Sequence, residues 1–322
     1  MYIRTERQVY TMSHAPGSKH RSQWFGYIKH WQIVLMFLPV ILNLAIFDYT
    51  PIYGLVICFK EYSLSQGIAG SQWVGLMQFD KLLSIPSFQQ VFSNTVRISA
   101  LRILFGFPAP IILALLINEI RGTFFKKTVQ TISYLPHFLS WIILGGIFKQ
   151  FLSPSTGFMN QLITLFGGEP VYFLGDPKVF VGTLIVTDIW KGVGWGTIIY
   201  LACIAGISPE LYEAATVDGA NRLQRALHIT LPGLIPVISI QFILRTGSLV
   251  SGGFDQIFNL YNENVYRVAD IIDTYVYRRG LIDQQYSFSA AAGLFKNVIS
   301  FGLVLFTNVV VKRLNGGEGG IW

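Results

Sequence analysis

Six stretches of this sequence are apolar over the length needed to cross a bilayer, approximately residues 31–53, 96–118, 131–152, 180–204, 233–251 and 289–311. About 20 mostly apolar residues in a helix cover the roughly 30 Å of hydrocarbon. With no water at that depth, a helix is the one local structure that satisfies its own backbone polar groups. The expected fold is therefore an all-α polytopic membrane protein with six transmembrane helices. Composition agrees: 13% of the residues are charged, against about 25% in soluble domains. This argues against a soluble enzyme and against a disordered chain, which needs low hydrophobicity and high net charge. Cys58 and Cys203 lie far apart in apolar runs, a spacing that gives neither a disulfide framework nor a metal site.

The distribution of positive charge predicts the orientation, because Lys and Arg concentrate on the cytoplasmic side. With the N-terminus inside, twelve Lys and Arg fall in inner segments, seven in outer segments and five within or at the edge of spans. Both termini are thus expected in the cytoplasm, with residues 1–30 and 312–322 as inner tails of a 31–311 membrane domain. The net charge of +7 is then mainly a topology signal, and nucleic acid is not an expected partner. Thirty mostly polar residues precede the first span with no small-residue cleavage site, which reads as an uncleaved anchor.

The informative segment is the inner connection 206–232. Ser208 suits a helix N-cap, Pro209 its first position and Glu210 its positive end. Leu211, Ala214, Ala215 and Val217 give a modest apolar side. Gly219 can turn left-handed and stop the helix after Asp218. A second helical stretch, 222–229, returns to the membrane at Leu231-Pro232.

The pattern Glu213-Ala214-Ala215, three residues, Gly219, nine residues, then Ile229-Thr230-Leu231-Pro232 resembles the signature loop of binding-protein-dependent ABC importer permeases. Further stretches are similar to the polysaccharide and oligosaccharide branch: Pro51-Ile-Tyr-Gly-Leu55, Gly67 to Leu76, Phe254 to Asn262, Ile272 to Tyr277, Tyr286 to Ser289 and the ending from Lys312-Arg313-Leu314 through Ile321-Trp322. The resemblance covers residues 25–322. It implies a type I importer-like permease fold in the bacterial cytoplasmic (inner) membrane, with a coupling helix between helices 4 and 5. Glu213, Ala214, Ala215, Asp218, Gly219, Leu211 and Tyr212 would form the ATPase-coupling surface. It also implies two ATPase subunits that bind ATP and Mg, a second permease in a heterodimer, and an extracytoplasmic solute-binding protein. The cargo would be a sugar polymer or oligosaccharide, alginate among them, and the outer segments 54–90 and 252–287 would face the delivering protein.

The chain itself carries no Gly-x-x-x-x-Gly-Lys-Ser/Thr loop and no Gly-x-Ser-x-Gly turn, and its five histidines are scattered. It is expected to be non-catalytic and to hold no cofactor or metal. An ion-gradient-driven secondary transporter, the main alternative, would need inverted repeats and midplane helix breaks. A membrane assembly or signalling protein is a third class.

Polar residues inside spans usually face the bundle interior. Asp188 and Lys191 share one face of the fourth span, where they can neutralise each other or serve the path. Gln241, Arg245 and Ser248, at i, i+4 and i+7, make one stripe on the fifth. Arg245 there could meet a cargo carboxylate through its bidentate fork or snorkel outward, as Arg102 and Lys296 could. Trp190, Trp195 and Tyr200 could stack on sugar rings or anchor the helix in the interface. Gly192 and Gly196 form a small-xxx-small pair that predicts close helix contact.

Overall fold

A computed structural model describes residues 31–248, 250 and 253–314. The expected tail 1–30 lies outside the described residues, as does the part 315–322 of the expected tail 312–322, whose first three residues continue the last helix. The chain divides into two compact units, residues 1–54 and 55–322. The first contributes most of a 29-residue apolar helix, α1 (Trp31–Phe59). It passes from α-helix into a π segment, Leu44–Tyr49.

The second unit is built on α2 (Pro86–Asn118), α3 (Thr123–Phe138), α4 (Trp141–Phe151), α5 (Pro177–Ala205), α6 (Pro209–Val217), α7 (Arg222–Gly247) and α8 (Tyr286–Leu314). Among the described residues α1, α2, α7 and α8 are each long and apolar enough to cross a membrane, and the count reaches six if the bent pairs α3–α4 and α5–α6 each make one span. Six is thus the upper end of what the helices allow.

Prolines decide where these helices distort. Pro108 and Pro110 cannot donate backbone hydrogen bonds, and α2 widens into a π segment, Arg102–Gly106, just before them. The expected third span, 131–152, is not one helix. α3 tightens into a 3₁₀ turn at Leu135–Phe138, around Pro136, and α4 leaves at 105°. Ser140 starts α4 as a true N-cap, accepting from the Ile143 N–H at 3.3 Å. Conversely, the stretch 222–229 and the fifth span are not separate: α7 runs unbroken from Arg222, with a π segment at Ala226–Thr230 ahead of Pro232 and Pro236.

Three apolar clusters hold the unit together. One joins Phe180 and Leu184 of α5 to Ile98 of α2 and to Ile257, Leu260 and Ile271. A second packs Phe88 of α2, Tyr275 and Phe288 of α8, and a third Ile111, Tyr200, Ile204 and Leu234. Large apolar side chains also cover the outside, among them Leu104, Ile112, Leu116, Phe301 and Phe306. A surface of that extent needs an apolar surrounding.

The connections are ordered as well. Lys60–Glu61 pairs antiparallel with Gln72–Trp73, a small β-ladder that an all-helical reading omits. The Lys60 ammonium donates to the Ile68 and Ala69 carbonyls at 2.6 and 3.3 Å, which closes the loop. Between α7 and α8, Arg278 pairs with Asp270 at 2.5 Å, and the Asn94 amide of α2 donates to the Arg267 and Asp270 carbonyls, both at 3.1 Å. Burial works against the Arg278 charge, but the Asp270 hydrogen bond and charge outweigh it and hold the guanidinium above its ordinary range.

Candidate functional site

A cavity of about 410 Å³ opens where α2, α3, α5 and α7 meet. Asp188, Trp195 and Tyr200 of α5 reach its wall together with Gln241 and Arg245 of α7, His137 of α3 and Gly106 of α2. Five of the eight path candidates therefore come together.

The charges are arranged differently from the expected Asp188–Lys191 pair. Asp188 lies 3.9 Å from Arg102 and 3.7 Å from Arg245, so one carboxylate serves two guanidiniums from two other helices. Arg102 does not snorkel: it is 8% exposed and also donates to the side-chain oxygen of Gln256. Gln256 in turn donates to the Leu184 carbonyl and the Thr187 hydroxyl, each at 2.8 Å. Lys296 pairs with Asp273 at 2.5 Å.

Lys191 has a separate task. Its ammonium donates to the His137 and Leu139 carbonyls at 2.9 and 2.7 Å and lies 5.6 Å from the Trp141 ring centroid. Those carbonyls are freed by the α3–α4 break, where the negative end of a helix dipole favours a cation. Trp195 stacks on His137, with centroids 4.4 Å apart and planes at 1°. Trp190 instead meets Phe148 edge-on at 5.6 Å, outside the cavity lining. The Ser248 hydroxyl donates to the Arg245 carbonyl at 2.8 Å at the end of α7 and is also outside it.

Of the expected close-contact pair, Gly196 holds and Gly192 gives way to Gly194. A Cβ on Gly194 would strike the Ser133 backbone of α3, and one on Gly196 would strike Pro110, whereas Gly192 faces open space on the cavity wall. Residues 194 and 196, not 192, let the helices approach. Arg102, Gln256 and His137 are the site residues that the sequence reading does not select.

The second locale is α6, which leaves α5 at a bend of 74°. Pro209 sits in its first turn and Ser208 at the cap, though the Ser208 side chain makes no capping hydrogen bond. Gly219 stands at φ 80°. There the Ala220 N–H donates to the Ala215 carbonyl at 2.9 Å and the Gly219 N–H to the Thr216 carbonyl at 3.1 Å, the double closure of a left-handed C-cap. Asn221 and Gln224 then form a reciprocal capping box, with bonds of 2.9 and 2.8 Å, that starts α7. Tyr212 ties α6 to Thr230 of α7 at 3.0 Å, and Arg225 donates to Thr216 at 2.7 Å. Leu211, Glu213, Ala214, Val217 and Asp218 are exposed, Val217 at 88%. The hairpin is thus braced from behind and presents its other side outward.

A helical membrane domain with a braced, exposed helical hairpin fits a transport permease, and known proteins show that class. Residues 106–316 match the family described as binding-protein-dependent transport system inner membrane component, and the chain belongs to that family. The polygalacturonan/rhamnogalacturonan transport system permease protein YteP of Bacillus subtilis is 43% identical over 295 residues, covering 92% of this chain and 91% of that one. Protein LplB of the same organism is 42% identical over 294 residues, covering 91% and 92%. Among solved structures, a chain of a bacterial ABC transporter involved in import of the acidic polysaccharide alginate is 41% identical with a TM-score of 0.83, covering 90% of this chain and 98% of that one. A chain of a bacterial alginate transporter in complex with an alginate pentasaccharide-bound periplasmic protein gives 41% and 0.85, covering 92% and 99%.

Proposed function

We propose that this chain is one permease subunit of an ATP-driven importer for oligosaccharides derived from an acidic polysaccharide. It forms half of the translocation path, and a second, similar permease forms the other half. Two ATPase subunits bind and hydrolyse ATP on the cytoplasmic side, where both termini of this chain also lie. A solute-binding protein delivers cargo to the outer segments. The chain performs no covalent chemistry; it converts movement of the ATPases into movement of its helices.

The observation that carries this reading is the braced α6–Gly219–α7 hairpin. A lever must be exposed on its working side and rigidly joined to what it moves. α6 is anchored to α7 through Tyr212–Thr230 and Thr216–Arg225, so displacement of α6 is passed to α7 and α5, the two helices that carry Arg245 and Asp188. Glu213 supplies a polar contact to the ATPase, and Ala214 and Ala215 permit close approach. Exposed Leu211 and Val217 flank them with apolar surface. Two-state transport of this kind needs each ligand to bind one state better than the other.

The test is ATP hydrolysis by the reconstituted complex with its binding protein. We expect hydrolysis that rises severalfold when binding protein and a uronic-acid oligosaccharide are both present. A chain that purifies without ATPase and carries sugar alone in liposomes on an ion gradient would contradict the reading.

A further inference from the structure

The fixed charges around the cavity are unequal. Arg102 and Arg245 share one counter-ion, Asp188, and the two arginines are not equivalent. Arg102 is buried and held by Asp188 and Gln256. The Arg245 side chain is 46% exposed and lines the cavity. Its 3.7 Å approach to Asp188 is an ion pair, but too long for a hydrogen bond. Among the described residues the Arg245 guanidinium donates no hydrogen bond, although it has five N–H donors in a planar fork. Asp188 offsets its charge but leaves the fork donors open to an anionic acceptor in the cavity. The same wall carries a flat aromatic surface, Trp195 stacked on His137, with Tyr200 and Gln241 beside it. The volume falls within the roughly 300–1,000 Å³ of small-molecule sites.

We propose that the cavity is a subsite for one sugar unit bearing one carboxylate, with the carboxylate bound bidentately by Arg245 and the ring lying against Trp195. Asp188 is the resident counter-charge that holds the guanidinium in place between cargo molecules. A carboxylate matches the excess of cations over Asp188 and the fork geometry of Arg245. A neutral sugar leaves the fork donors without an acceptor. This assignment rests on the importer reading and adds to it the residue that selects for charge.

The test uses the purified complex of this chain with its partner subunits and two probes: a hexuronate trisaccharide and the same trisaccharide with its carboxyl groups reduced to alcohols. The readout is the ratio of their dissociation constants. In the wild type the charged probe should bind at least tenfold more tightly, and the ratio should shrink as salt is raised. Arg245→Gln should bring the ratio to near one. Arg245→Lys, which keeps the charge without the fork, should fall between. Asp188→Asn, which removes the competing anion, should raise the ratio above wild type. A ratio in Arg245→Gln equal to that of the wild type overturns the subsite and leaves the importer reading standing. So does a wild type that prefers the neutral probe. Failure of the ATPase subunits to co-purify with the wild-type chain defeats the importer reading itself.

Discussion

Replacing Gly219 with valine is expected to reduce cargo uptake by at least tenfold while the solubilised complex still assembles and still hydrolyses ATP. Gly219 has φ 80° and nothing within reach of an added Cβ, so the obstacle is the backbone conformation and not space. Strain of this kind costs roughly 1–3 kcal/mol, more for a β-branched residue than for others. About 1.4 kcal/mol is a tenfold change in an equilibrium, enough to open the closure that fixes α6 relative to α7. None of the three membrane clusters, around Leu184, Phe88 and Tyr200, contains a residue of the segment 206–230. Gly219→Asn, which tolerates the left-handed region, should retain most of the uptake. Measuring uptake and hydrolysis together in proteoliposomes decides the point; equal uptake by the valine and asparagine variants would remove the turn from the coupling.

A second large effect is expected at Gly194. Even alanine there drives a Cβ into the Ser133 carbonyl of α3, a backbone group that cannot rotate away. Overpacking costs typically about 1–3 kcal/mol where side chains can yield, and a backbone clash belongs at or above the top of that range. Gly194→Ala should therefore lower the melting temperature of the detergent-solubilised complex markedly. Gly192→Ala, which meets nothing within 4 Å, should leave it within about a degree or two. The reverse order would mean that the helices meet on the 192 side.

That comparison also shows what sequence can and cannot reveal. Local rules place α6, its first-turn proline and its glycine stop correctly, because each depends on residues a few positions apart. The apolar windows locate α1, α2, α7 and α8 for the same reason. The rest depends on neighbours from other helices. Helical spacing puts Asp188 and Lys191 on one face, but Arg102 and Arg245 come to Asp188 from α2 and α7, while Lys191 is drawn to the carbonyls that the α3–α4 break frees. The break has a local signature, Pro136 followed by Ser140 as cap. Arg102 looks like a residue free to snorkel until Gln256, 154 positions later, closes over it.

The central claim, that the outward side of α6 is gripped by an ATPase, is tested most directly by a photo-crosslinking amino acid placed at Ala214 in the co-expressed complex. The expected result is a crosslinked product containing this chain and the ATPase subunit, and none from the same probe at Trp73 in the small β-ladder. Efficient photolysis at position 214 with capture of lipid or solvent alone, in a complex that hydrolyses ATP, would contradict it.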